Sequence, residues 1–318
     1  MSLRSSFTES FSLRHPVALA PMGGVAGGAL AAAVSNGGGL GLIGGGGGDK
    51  GWLQDQLRIV TDSTSDPWGV GFLSWALETE TLEWTLQHRP TAIMLSFGDP
   101  RSFADVIRDA GAKLIVQVTD LDEARRATEV GADVIVAQGA EAGGHGGRRS
   151  TLPFVPAVVD LVGPTPVLAA GGITDGRGLA AALVLGAAGA LVGTRFEASF
   201  EALIPSAVAR AIVESNGDST ERSRLVDIAR RSPWPQRYTA RTLRNDFLDR
   251  WTNREDELQT DNDALDAYGL AAEQNDPAVA PIWAGEGIDL IKELSGAADL
   301  VRVLVRDAED AIARATGD

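Results

Sequence analysis

Residues 167–196, "VLAAGGITDGRGLAAALVLGAAGALVGTRF", decide the fold. A short apolar run, Val167–Ala169, reads as a strand leading into the glycine pair Gly171–Gly172. Asp175 stands where a helix needs its N-cap, ahead of small residues that stop at Gly186. A second apolar run, Ala190–Gly193, follows and ends on Gly193–Thr194. Strand, helix, strand, with both strands nearly continuous in apolar residues, is the order of a parallel β/α unit whose sheet is covered on both faces. Two consecutive strands ending on glycine leave bare backbone N–H groups at one rim. That suits a phosphate better than it suits a mere pair of tight turns.

The same unit recurs upstream. Further strands are expected at Val17–Ala20, Leu40–Ile43, Gly69–Leu73, Ala92–Ser96, Leu114–Val118 and Val134–Gln138, which brings the count to eight. Between the last two, "TDLDEARRATEVGAD" offers Thr119 or Asp120 as N-cap and places Leu121, Ala124 and Ala127 on one face, with Gly131 as the stop. "GAK", "GAD" and "GAA" at Gly111, Gly131 and Gly186 repeat that stop. Eight such units close into an α/β TIM (β/α)8 barrel. Beyond Phe196 the chain becomes charged and rich in arginine and tryptophan, and reads as a C-terminal helical cap or insertion. The expected division is residues 13–200 plus 280–318 for the barrel and 201–279 for the cap.

With 44% hydrophobic and 22% charged residues, the 318-residue chain can bury a sizeable core. Its formal net charge of −15 argues against nucleic acid and anionic membranes as partners, and makes an acidic protein partner less favourable. There is no cysteine, which removes disulfides, thiolate metal sites and cysteine nucleophiles and suits a cytoplasmic setting; no metal site is expected. "MSLRSSFTESFS", residues 1–12, lacks an apolar signal core and reads as a loose arm. Residues 16–48 carry no charge and hold Gly24 and Gly28 at GxxxG spacing, but Pro21, Ser35 and Asn36 interrupt them, so the stretch reads as buried barrel and not as a membrane span.

"GLGLIG", Gly39–Gly44, matches a dinucleotide fingerprint, yet its apolar positions are themselves the second strand. "PMGG", Pro21–Gly24, ends the first strand: proline fixes the chain direction and the glycines let a flat ring approach the backbone. "EAGGHGGRRS", residues 141–150, follows the sixth strand and places His145 between glycine pairs at the catalytic face of such a barrel. Neutral imidazole there can take a proton from an acidic carbon, and imidazolium can hold an anion. His15 and His88 have no such setting. Arg148 and Arg149 are expected either to supply local positive potential or to be solvated.

Together, "APMGGVAGGALAAAVSNGGGLG", "VAQGAEAGGHGG", the 167–196 stretch and "IWAGEGIDLI" resemble the nitronate monooxygenase family, over about residues 13–300 in order. The resemblance implies an FMN-binding TIM barrel that oxidises alkyl nitronates with O2 to carbonyl compounds and nitrite. It implies that Ala20, Pro21 and Met22 lie along the flavin, that Gln138, Gly143 and Gly144 touch the ring or ribityl chain, and that Gln117 is a further contact. It places the FMN phosphate at Gly171, Gly172, Gly193 and Thr194, and makes His145 the catalytic base or substrate-orienting residue. Its implied partners are a nitronate or nitroalkane and O2, and a homo-oligomer is compatible with it. Two departures mark this chain: Gly71 stands where many relatives have asparagine, and Leu19 where glutamine is common. Trp234, Trp251 and Trp283 are expected to help the cap shield the ring. Two other readings stay open: an NAD(P)H-dependent flavin reductase of quinones or enoyl thioesters, and a flavin-free phosphate-binding isomerase or lyase.

Overall fold

The computed structural model describes residues 3–274, 276 and 278–317. Eleven strands, numbered in chain order, carry the architecture. They are β1 Val17–Leu19, β2 Gly41–Gly46, β3 Trp68–Leu73, β4 Ala92–Ser96, β5 Lys113–Val118, β6 Val134–Gln138, β7 Gly144–Gly146, β8 Val167–Ala170, β9 Gly189–Val192, β10 Thr220–Ser223 and β11 Thr239–Leu243. Eight form one parallel sheet in the order β1-β9-β8-β6-β5-β4-β3-β2. The ring shuts where the Leu19 amide donates to the Leu40 carbonyl and the Leu40 amide to the Val17 carbonyl, both at 2.9 Å. "GLGLIG" is thus strand, as its apolar positions require.

Alternation along the strands sorts side chains into two cores. Ala18, Leu42, Met94, Ile115, Val136 and Leu168 point inward and fill the barrel. Leu19, Ile43, Val70, Ile93, Val116 and Ile135 point outward against the helices. A filled interior leaves only the rim for chemistry.

The expectation of a loose N-terminal arm is wrong for its described part; Met1 and Ser2 lie outside the described residues. Ser6–Phe11 is a helix closed by a capping box between Ser5 and Thr8. Its spacing puts Phe7 and Phe11 on one face, 0% and 3% exposed, where they join the interior cluster as a plug. The physical reason is the i,i+4 aromatic pair, which only an apolar barrel floor can satisfy.

The helices stop as read: Gly111, Gly131 and Gly186 have φ of 77°, 72° and 91°, the left-handed region where glycine is favoured. Asp120 proves to be the N-cap, accepting from the Glu123 amide at 2.8 Å. After β9 the chain leaves the barrel, builds the cap and returns as the helix Ala297–Thr316. That helix buries Leu300, Val301 and Leu304 against the helices Gly28–Gly37 and Gly176–Val184. It packs so tightly that a Cβ on Gly176 would lie 2.4 Å from the Ala308 nitrogen.

The 201–279 region is not purely helical. β10 and β11 pair antiparallel, and β7, from the loop after β6, joins as third strand with Ala240 opposite His145. "TERS" and "TARTL" are too short and polar to show strand alternation; they pair with each other, and the barrel loop adds a third strand to "TARTL". Asn275 and Pro277, in the "NDPAVAPIWAGEG" turn, lie outside the described residues. Among the described residues, no helix is long and apolar enough to cross a membrane.

Candidate active site

A cavity of about 460 Å³ opens at the C-terminal ends of the barrel strands. Its size is that of a cofactor or substrate pocket. The residues that the resemblance assigns to flavin contact or catalysis all line it: Ala20, Pro21, Met22, Gln117, Gln138, Gly143, Gly144, His145, Gly171, Gly172, Gly193 and Thr194. The floor carries two buried amide atoms without a partner among the described residues, Gln117 Nε2 and Gln138 Oε1. A buried donor and a buried acceptor left open cost free energy unless a ligand completes them. A ring edge bearing both carbonyl oxygens and N–H groups, as flavin has, fits that pair.

Glycines carve the rim. A Cβ on Gly44 would lie 2.2 Å from the Met22 carbonyl oxygen, and one on Gly71 would lie 2.2 Å from Pro21 Cγ. The Gly71 departure therefore has a steric cause here: the Pro21 ring occupies the space an asparagine would need. At the rim beyond β8, Gly171 and Gly172 have φ of 101° and 72°. Asp175 caps its own helix, accepting from the Arg177 and Gly178 amides at 2.9 and 3.3 Å, so that helix end is already satisfied. The bare backbone left for an anion is at Gly171–Gly172 and Gly193–Thr194. Over it folds the segment 283–287, where the Gly285 amide donates to Thr194 Oγ1 at 3.1 Å. Gly285 and Gly287 line the cavity and had no role assigned, although "IWAGEG" was the signal that held them.

His145 sits on β7, 9% exposed. Its Nε2 lies 2.9 and 3.0 Å from Asp227 Oδ1 and Oδ2, and both side chains are buried. Nε2 therefore carries the proton toward the carboxylate, and Nδ1 keeps the lone pair with no protein partner among the described residues. Trp234 stacks on the ring at 3.5 Å between centroids with 4° between planes, and Trp283 lies tilted at 5.6 Å. Phe97, strained at φ 60°, packs edge-on against Trp234 at 5.1 Å and Tyr238 at 5.0 Å. Trp251 is elsewhere, in the cap core with Phe247 and Tyr268.

The loop that carries His145 is clamped from below. Gln138 Nε2 donates to the His145 carbonyl at 3.0 Å. The Arg222 guanidinium donates to the carbonyls of Ala140 and Ala142 at 3.1 and 2.7 Å, and Arg241 to Ala140 at 3.0 Å. Burial, then the neighbouring Arg241, bring Arg222 down to about 10. Tyr238 donates to Glu123 Oε1 at 2.6 Å, tying the cap to the helix Leu121–Glu129 that follows β5; burial and that carboxylate raise its pKa. Arg148 and Arg149 are not part of the cavity wall; the Arg149 guanidinium lies 4.8 Å over the Phe154 ring. The arginine that does line it is Arg230. Asp227, Arg230 and Glu197 carried no recognisable motif.

The nitronate monooxygenase family profile matches residues 4–84 and 74–307. The chain is 34% identical over 323 residues to nitronate monooxygenase npaC of Metarhizium robertsii, covering 89% of this chain and 88% of that protein. It is 35% identical over 230 residues to the (3aS,4S,5R,7aS)-5-hydroxy-7a-methyl-1-oxo-octahydro-1H-indene-4-carboxyl-CoA dehydrogenase of Mycobacterium tuberculosis; that match covers 71% of this chain and spans 65% of that protein's length. The structure of FabK from Thermotoga maritima superposes with a TM-score of 0.87 at 28% identity, over 99% of each chain. The barrel, its glycine rims and the match along nearly the whole sequence agree: the chain belongs to the nitronate monooxygenase family, a family of flavin oxidoreductases.

Proposed function

We propose that the protein is an FMN-dependent nitronate monooxygenase, oxidising alkyl nitronates with O2 to carbonyl compounds and nitrite. The observation that carries this reading is the convergence, in one cavity, of a bare-backbone anion cradle, two unpartnered glutamine atoms and a carboxylate-oriented histidine. Gly171–Gly172 and Gly193–Thr194 would hold the FMN phosphate, the Ala20–Met22 segment with Gly143 and Gly144 would support the ring, and Gln117 and Gln138 would complete its polar edge. When bound, FMN would supply the electron transfer between substrate and oxygen, which no side chain of this chain can perform.

The protein's own contribution is position and proton control. Asp227 holds Nε2–H and leaves the Nδ1 lone pair free, so His145 can orient the nitronate oxygens or take the α-proton of a neutral nitroalkane. Trp234 fixes the imidazole plane, and with Phe97 and Trp283 it walls the site against water. Aerobic turnover of an alkyl nitronate, read as nitrite release, tests the reading. His145→Ala should keep FMN and lose about 100-fold in rate, whereas unchanged turnover would remove the histidine from the mechanism.

One observation favours a second reading. The Mycobacterium tuberculosis relative is named for an acyl-CoA substrate, and the wall of Phe97, Trp234 and Trp283 suits an apolar acyl group as well as an alkyl nitronate. Oxidation or reduction of an acyl thioester in the absence of any nitronate turnover would support it.

A further inference from the structure

Glu197 is the acidic side chain of the cavity wall, 3% exposed, at the end of the short helix Thr194–Glu197 that begins at the anion cradle. No hydrogen bond or ion pair is made by its carboxyl group among the described residues. The charged groups around it are turned elsewhere. Arg195, on the same helix, donates to the Glu293 carbonyl at 3.1 Å and to Ser295 Oγ at 3.4 Å. Glu286 is paired with Arg241 at 2.6 Å. Glu141, beside Gly172, is held by the Thr151 amide and hydroxyl at 2.9 and 2.8 Å. Glu201 accepts from the Ala297 amide at 3.0 Å. The Ala20–Val25 and Gly171–Thr174 segments carry no charge, and His145 and Arg230 are the other titratable groups on the wall.

A buried, unpaired carboxyl beside a site for an anion is unstable as a carboxylate, because burial and the anion both disfavour its charge. As a neutral acid it is a donor with nothing in the protein to donate to. We infer that Glu197 is a cofactor-binding residue that acts as the protonated acid, donating its O–H to an oxygen at the phosphate-bearing end of FMN, so that cofactor binding takes up a proton at mildly alkaline pH. This rests on the flavin reading above. Burial alone already pushes the empty site's carboxyl up to about 8, so loss of the proton falls where the FMN phosphate is fully ionised and does not itself titrate.

The test is titration of full-length apoprotein with FMN, followed by quenching of flavin fluorescence, between pH 7 and pH 9. The dissociation constant of the wild type should rise about tenfold over that range. Glu197→Gln, which keeps a donor and has no charge, should match the wild type at pH 7 and stay level to pH 9. Calorimetry on the wild type in buffers of different ionisation enthalpy, which needs no variant, should show proton uptake on binding at pH 8.5. A level wild-type profile with no proton uptake, or the same rise in Glu197→Gln, would overturn the inference while leaving FMN binding intact. Absence of FMN binding at pH 7 would overturn the flavin reading itself.

Discussion

His145 Nε2 meets both carboxylate oxygens of Asp227, at 2.9 and 3.0 Å, across 82 residues of sequence. The pair joins the barrel's sixth loop to the cap, so the cap completes the imidazole it covers. Asp227→Asn can still fill the space but offers an N–H₂ where Nε2 needs an acceptor. We expect kcat to fall by at least about 10-fold, with flavin content unchanged. Steady-state rates beside the flavin-to-protein absorbance ratio check this, and an unaltered kcat would show that the carboxylate does not set the tautomer.

Gly71 tests the shape of the rim. A methyl group there meets Pro21 Cγ at 2.2 Å and Cβ at 2.3 Å, so Gly71→Ala must displace the segment that would lie along the flavin. The expected cost is about 1–3 kcal/mol of stability and a lower flavin content. Urea unfolding and the visible spectrum of the purified variant measure both. Retention of full stability and full flavin would mean that Pro21 yields freely.

At the opposite end of the barrel, Phe7 is fully buried within the interior cluster. Phe7→Ala should lower unfolding free energy by about 3–5 kcal/mol without changing the substrate KM, because the plug and the rim are separated by the filled interior. Denaturant titration combined with KM determination examines this. A negligible stability loss would return the segment to the status of a loose arm.

Glu197 also makes the cofactor-free protein pH-sensitive. Its carboxyl sits at about 8 in the fold, against an ordinary value of 4.5, so the folded state binds more protons than the unfolded state between those values. The contribution of Glu197 to stability therefore falls as pH rises from about 4.5 to about 8 and levels off above, by an amount on the order of a few kcal/mol. Glu197→Gln removes the penalty. Its advantage in Tm over the wild type should be small at pH 5 and large at pH 8. A constant offset at both would show that the carboxyl is not ionising within the fold.

The barrel was legible in the sequence because parallel strands covered on both faces must be apolar at nearly every position, and because their helices end on glycine at repeated offsets. The same logic located the rim: Gly171–Gly172 and Gly193–Thr194 follow strands, and strand order alone puts them on one side. What could not be read was anything set by the return of the cap. Asp227 has no spacing to His145, Glu197 sits after "GTRF" like any surface helix residue, and β10 and β11 are strands through pairing with each other, with β7 added on the free edge of β11. Proximity in sequence leaves Arg148 and Arg149 open between local positive potential and a solvated pair, and the fold puts Arg230 on the cavity wall instead.

The most direct test of the account is anaerobic mixing of the purified holoprotein with an alkyl nitronate and, separately, with NADH, following the visible flavin band. A nitronate monooxygenase should show rapid loss of the oxidised flavin spectrum with the nitronate, its return on admitting O2 with release of nitrite, and at most a slow change with NADH. Rapid bleaching by NADH with no response to the nitronate, or a protein that carries no flavin band at all, would contradict that reading.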